Sequence, residues 1–324
     1  MHRSILRYRN IFQNLSITNP PPLATHINPP TLLTKPELEQ NDLKKLFNHE
    51  ITALQIKSFY PSSHAQKIAK ELSEKAKKGE VDNWRVGTER GLEVSDVWTE
   101  GEYIPYNVAV ATDKVEDYYQ GVTKDFRKRR LIPISNSNGG EAASDVQPRL
   151  WPLDQLRLEL DEIWMDGAGL SRDKEKRVQG GGLPRIMMGP TRWKRGFIHA
   201  DQYSPLKKGE GLFSGNIYLQ LPPRGEKGDK TDGELHIWNL EIYSQLDWYR
   251  YQDLLKGLTT QDAELQMKLR KELGVPLKIH VEPGDLVMLC VQKPHAAVGF
   301  MDGIRISLQC FIQYRLGERL LIDI

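Results

Sequence analysis

The sequence predicts a mainly β fold with flanking helices, on three observations. From Arg192 onward the chain is a succession of short β-like runs: RWKRGFIHADQY, FSGNIYLQLP, GELHIWN, PLKIHVEP, DLVMLCV, AAVGFM and RISLQCFIQYR, divided by Gly, Pro and Asp. Runs punctuated in this way build sandwiches, jelly rolls and barrels. Helical periodicity, the second observation, is confined to the first half and to one block inside the β region. The third is that no stretch of about 18 apolar residues occurs, which predicts no membrane span.

The elements follow in chain order. Residues 1–37 read as a basic, Pro-rich extension: residues 1–36 contain Arg3, Arg7, Arg9 and Lys35, no acid, and six of the 19 prolines. Proline fixes φ and removes backbone donors, so this stretch predicts an extended arm. Its first 16 residues, MHRSILRYRNIFQNLS, resemble an organelle transit peptide, and the expected location is intracellular, cytoplasmic or organellar. The domain is expected over 38–324. ITALQIKSFY reads as a strand. PSSHAQKIAKELSEKAKK reads as a helix with Ser62 or Ser63 as cap and Ala65, Ile68, Ala69 and Leu72 on one face.

Further on, DKVEDYYQGVTKDFRKRR reads as a helix whose basic end suits a helix C-terminus. ISNSNGGEAASDVQP reads as a loop, and WPLDQLRLELDEIWMDG as an amphipathic helix. Gly180-Gly181-Gly182 lacks the spacing of a phosphate cradle. A helical insertion at about 241–273 separates two β runs, and it serves either as a lid or as packing.

Composition narrows the function. Lys plus Arg is 45 and Asp plus Glu is 43. That balance argues against a nucleic-acid partner, which calls for a basic excess. Cys290 and Cys310 are the only cysteines. They exclude a disulfide framework and a CxxC zinc site, and they fit a reducing compartment.

The segment Phe197-Ile198-His199-Ala200-Asp201 carries the chemistry. Residues two apart on a strand share a face, so His199 and Asp201 present an imidazole and a carboxylate together. A third ligand must come from another strand, and His295 in QKPHAAVGF is the candidate. Two His and one carboxylate leave open positions on an iron, as non-haem Fe(II) oxygenases require.

HxD in an apolar run, the turn Pro283-Gly284-Asp285, then His295, then Arg305-Ile306-Ser307 form an order that resembles the Fe(II)/2-oxoglutarate-dependent oxygenase family. The resemblance is clearest from Arg185 to the C-terminus, and ITALQIKSFYPSSHAQKIAKEL is similar to the family's opening strand and helix. It implies a double-stranded β-helix, or jelly roll, with His199, Asp201 and His295 on iron. It implies 2-oxoglutarate and dioxygen as cosubstrates, and Arg305 paired with the distal carboxylate of 2-oxoglutarate, a task the planar guanidinium suits. Ser307 would donate to the same carboxylate, and Asn216 would contact the cosubstrate. The activity implied is that of a 2-oxoglutarate-dependent dioxygenase, oxidising an unactivated C–H bond while 2-oxoglutarate is converted to succinate. Asp201 argues against halogenation, for which the family substitutes a small residue.

Arg192 and Arg195 are the expected contacts to an anionic substrate, and Trp238 the expected apolar contact. A small, carboxylate-bearing or amino-acid-derived metabolite fits this set. Hydroxylation or oxidative ring closure would follow, the latter as in the kainoid synthases. The alternative class is a β-sandwich or jelly-roll module that binds a metal or ligand without oxygenase activity. Turnover of 2-oxoglutarate separates the two.

Overall fold

The computed structural model describes residues 29–88, 91–130, 150–223 and 233–324. The expected transit peptide, the whole ISNSNGGEAASDVQP loop and the side chains of Arg129 and Arg130 lie outside the described residues.

The chain opens with β1 (Leu32–Lys35), α1 (Gln40–Phe47), β2 (Ala53–Ile56) and α2 (Ser62–Lys78). A two-stranded sheet, β3 (Arg85–Thr88) and β4 (Gly91–Val94), precedes α3 (Tyr106–Ala111), α4 (Val115–Arg130) and α5 (Pro152–Ile163). Then come β5 (Ala168–Leu170), β6 (Leu183–Met188), β7 (Glu210–Gln220) and β8 (Leu235–Ile237). The insertion supplies α6 (Gln245–Arg250), α7 (Gln252–Leu255) and α8 (Ala263–Leu273). The remaining strands are β9 (Leu277–Ile279), β10 (Leu286–Cys290), β11 (His295–Ala297), β12 (Ile304–Arg315) and β13 (Leu320–Asp323).

A large mixed sheet runs β1-β2-β10-β7-β12-β13-β5, with β6 also paired to β12. A small antiparallel sheet runs β11-β8-β9. Alternation along the strands assigns each face of the large sheet. Phe213, Ile217 and Leu219 on β7, Leu286 and Met288 on β10, and Ile306, Leu308 and Ile312 on β12 are buried against Leu46 and Phe47, Ala69 and Leu72, and Leu156 and Leu160 of three helices. The intervening residues Tyr218, Val287 and Leu289 pack against Leu235, Ile237 and Ile279 of the small sheet. The result is a two-sheet sandwich with helices covering one outer face, and the polar residues of β7 and β12 that share the inner face are what the site is built from.

The helices form where the apolar spacing demands. Ala65, Ala69, Leu72 and Ala76 are the buried hydrophobics of α2, and Gly79 ends it in the left-handed conformation. The cap differs from expectation. Pro61 occupies the N-cap position without a side-chain bond, so Ser62 is already helical. Two further differences concern extent. Leu32–Lys35 pairs in parallel with Ala53–Ile56, so the sheet reaches back into the stretch read as extension. RWKRGFIHADQY forms no regular strand: it joins the small sheet through a single bridge, His199 to His295.

Candidate metal centre

That bridge is the core of the site. His199 and His295 exchange both main-chain hydrogen bonds, His199 N to His295 O at 3.0 Å and His295 N to His199 O at 2.9 Å. A directly opposed pair of this kind sets two side chains side by side, and the imidazole centroids are 4.4 Å apart. Asp201 follows at the expected two-residue spacing, anchored by its N–H to Val291 O at 3.0 Å. One ligand atom from each of His199, Asp201 and His295 lies within 4.8 Å of the others. His295 Nε2 is 3.3 Å and His199 Nε2 3.8 Å from the Asp201 carboxylate.

The donor set fits a divalent transition metal. His199 Nδ1 lies 3.0 Å from Phe197 O, and His295 Nδ1 lies 3.0 Å from Lys293 O. A carbonyl only accepts, so each Nδ1 carries a proton, and each Nε2 is the atom turned toward the carboxylate, where it takes either a metal or a second proton shared with Asp201. Burial pushes Asp201 up, but the hydrogen bond and charge of His295, with His199 and Arg185 nearby, hold it at about 2. Burial and the neighbouring His295 lower His199. Burial alone would lower His295 too, yet Asp201 outweighs it and raises it.

The cluster opens on a cavity of about 620 Å³ between the two sheets. Asn216, Arg305 and Ser307 face the same cavity. Arg305 is 6% exposed, and its hydrogen-bond partners among the described residues include no carboxylate. Its Nη2 lies 3.5 Å from Tyr218 Oη and its Nη1 3.6 Å from Met187 Sδ. Its Nε is buried with no acceptor among the described residues. An unsatisfied buried guanidinium is costly, so this one suits an anion brought from outside. Ser307, two residues on, is buried on the same face. The Asn216 amide donates to Ser214 Oγ at 2.9 Å.

The structure does not bring Arg192, Arg195 or Trp238 to the cavity wall. Arg192 pairs with Glu93 at 3.1 Å and donates to Val94 O and Gln261. Arg195 leaves the strand because a turn closes from Gly196 N to Trp193 O, with Gly196 at φ +79, which breaks the alternation that would align Arg195 with His199. Trp193 and Phe197 stay in the wall. Trp238 points the other way. Leu235 and Ile237 take the inner face of β8, which leaves Trp238 buried among the insertion residues Leu240, Leu255 and Leu269.

The insertion packs on the segment that carries His199 and also reaches the cavity wall. Leu258 and Leu269 pack on Ile198 and Ala200, and Leu258, Thr259 and Gln261 line the cavity. Sequence reasoning did not assign Arg185, Trp84, Tyr218 or Gln309 to the cavity. The signal available for Gln309 was its two-residue spacing from Ser307, whereas Trp84 comes from a distant segment that no local pattern links to the strands.

No protein-family profile matches the chain, and no curated protein matches it. Among solved structures, a Pseudomonas putida prolyl-4-hydroxylase is 15% identical, with a TM-score of 0.37, over 85% of this chain and 98% of that one. The non-heme alpha-ketoglutarate-dependent carbocyclase SnoK from nogalamycin biosynthesis is 15% identical, with a TM-score of 0.41, over 87% of this chain and 88% of that one. HygX from Streptomyces hygroscopicus, solved with nickel and 2-oxoglutarate bound, is 11% identical, with a TM-score of 0.41, over 87% and 88%.

Proposed function

We propose that this chain is an Fe(II)- and 2-oxoglutarate-dependent oxygenase with a double-stranded β-helix core. One observation carries the reading. Two imidazole Nε2 atoms and a carboxylate converge on one point of a cavity that also holds a buried arginine with no acidic partner among the described residues. Metal-binding groups and an unsatisfied cation in one enclosure match a metal-chelating dicarboxylate better than either feature alone.

In this reading His199, Asp201 and His295 hold iron. The backbone carbonyls of Phe197 and Lys293 keep both rings in the ligating tautomer. Arg305 takes the distal carboxylate of 2-oxoglutarate, Ser307 donates to it, and Asn216 lies alongside. Iron bound there supplies the activation of dioxygen that couples decarboxylation of 2-oxoglutarate to oxidation of a C–H bond. Trp193 and Phe197 give the cavity an apolar wall that limits water around the reacting groups.

The substrate in this reading is a small carboxylate-bearing or amino-acid-derived metabolite, hydroxylated or closed into a ring as by the kainoid synthases. Among the described residues no helix is long and apolar enough to cross a membrane.

The test is succinate formation from 2-oxoglutarate in air with Fe(II), across amino acids and N-alkylated acidic amino acids, with His199→Ala as control. Succinate that requires iron and His199 is the expected result. Protein that binds iron but neither binds nor consumes 2-oxoglutarate would instead be a metal-binding sandwich.

A further inference from the structure

The cavity holds a second arginine that the cosubstrate does not need. Arg185 lies on β6, and the β6–β12 register sets it opposite Ser307. Its Nε donates to Gln309 Oε1 at 2.8 Å, which draws the side chain toward the later part of β12, away from Arg305 at the start of that strand. Its guanidinium lies 5.3 Å from the centroid of the Trp84 ring. Trp84 precedes β3, outside both sheets, and lines the cavity. Arg305, by contrast, is surrounded by Met187 and Tyr218 of the large sheet itself.

Arg185 makes no ion pair and no hydrogen bond to a carboxylate among the described residues, although Asp201 is near enough to act on it electrostatically. Burial lowers it to about 10, so it stays charged at neutral pH. The other acid of the wall outside the metal cluster is Asp96. It is already engaged, accepting from Arg192 N at 3.1 Å and held beside the Arg192 charge. The wall therefore presents one cation for the cosubstrate and one that faces the remaining space beside Trp84, Trp193 and Phe197.

Resting on the oxygenase reading, we infer that Arg185 is the substrate anchor: it binds a carboxylate on an otherwise apolar or aromatic primary substrate, whose body lies against Trp84 and Trp193. The planar fork explains Arg rather than Lys at this position, because Gln309 holds Nε beside Trp84 and leaves the two terminal nitrogens for a bidentate carboxylate.

The experiment uses the full chain loaded with Mn(II). Binding of 2-oxoglutarate is read by calorimetry. Binding of the matched probes 3-phenylpropanoate and 3-phenylpropanamide is read by ligand NMR line broadening, with and without 2-oxoglutarate. The expected result is that the carboxylate binds at least about tenfold more tightly than the amide. Arg185→Gln abolishes that preference and leaves 2-oxoglutarate affinity within about twofold of the parent. Arg185→Lys keeps the charge and loses the fork, so it retains part of the preference, and it decides the matter if Arg185→Gln does not fold.

A carboxylate preference that is absent from the parent protein, or that survives Arg185→Gln, overturns the assignment. So does a loss of 2-oxoglutarate binding in Arg185→Gln, which would place Arg185 on the cosubstrate. If the parent fails to bind 2-oxoglutarate yet shows the preference and loses it with Arg185, the oxygenase reading fails and the anchor stands.

Discussion

The side chain of Gln266 supplies both main-chain hydrogen bonds of Ile198, the residue before His199. Gln266 Oε1 accepts from Ile198 N at 2.8 Å, and Nε2 donates to Ile198 O at 2.9 Å and to Gly257 O at 2.6 Å. A helix of the insertion thus stands in for the neighbouring strand that the His199 segment lacks. This gives the insertion a purpose that packing alone does not require: it fixes the backbone from which His199 and Asp201 project.

Gln266→Ala leaves the Ile198 N–H and C=O buried and unpaired. The expected loss of stability is about 2–4 kcal/mol, from the cost of unsatisfied buried groups. Metal affinity should fall by about tenfold, as for other supports of metal ligands. Urea unfolding and metal titration measure the two effects, and an unchanged variant would show that the segment holds itself.

Replacing Arg305 separates ligand binding from stability. Arg305→Leu removes a buried charge that has no anionic partner among the described residues, so stability should stay within about 1 kcal/mol of the parent or rise. Metal binding should persist, while 2-oxoglutarate binds about tenfold to a hundredfold more weakly. Calorimetry with both ligands tests this. Unchanged 2-oxoglutarate affinity would place the cosubstrate elsewhere.

The Pro283-Gly284-Asp285 turn is structural. Gly284 has φ +100, and a Cβ there would sit 2.2 Å from Tyr60 O. The Asp285 carboxylate accepts from Ser58 N, Gln55 and Lys57, tying the turn to β2. Gly284→Ala should cost at least about 2 kcal/mol, through left-handed backbone strain and the displaced neighbour. Thermal unfolding of the metal-free protein is the check, and a wild-type midpoint would contradict it.

His49 predicts an acid-side weakness. Its ring nitrogens are buried with no hydrogen-bond partner among the described residues, and its ring stacks on Phe213 at 5.8 Å. Burial, then the charge of Lys293, lowers it from 6.5 to about 4. Its folded value lies below its unfolded value, so between about pH 6.5 and 4 only the unfolded chain takes up this proton. Stability falls across that window by up to about 3 kcal/mol. His49→Asn keeps a residue that tolerates the φ of +62. It should be less stable at pH 8 yet lose less on acidification, as denaturant midpoints against pH will show. An equal slope in both proteins would remove His49 as the cause.

Local periodicity carried the sequence reading a long way. Alternation in RISLQCFIQ put Ser307 on the same face as Arg305, because side-chain direction on a strand depends only on parity. The same rule paired His199 with Asp201. It failed at Arg195, where a turn interrupts the strand, and at Trp238, where parity holds but nothing local says which face of β8 is the inner one. The distant strand LLTK and the support from Gln266 left no periodic trace, since a short edge strand and a lone buried amide look like ordinary chain.

The sequence by itself determined the period of each strand, the HxD pair, and the presence of a later His and Arg-x-Ser. Tertiary structure alone decided that His295 lies across a bridge from His199, that Arg185 rather than Arg192 or Arg195 faces the cavity, and that Trp84 joins its wall. The reason is physical. Which face a side chain takes is set by backbone geometry within two residues, whereas which residues meet is set by pairings such as β6 with β12, between segments more than a hundred residues apart.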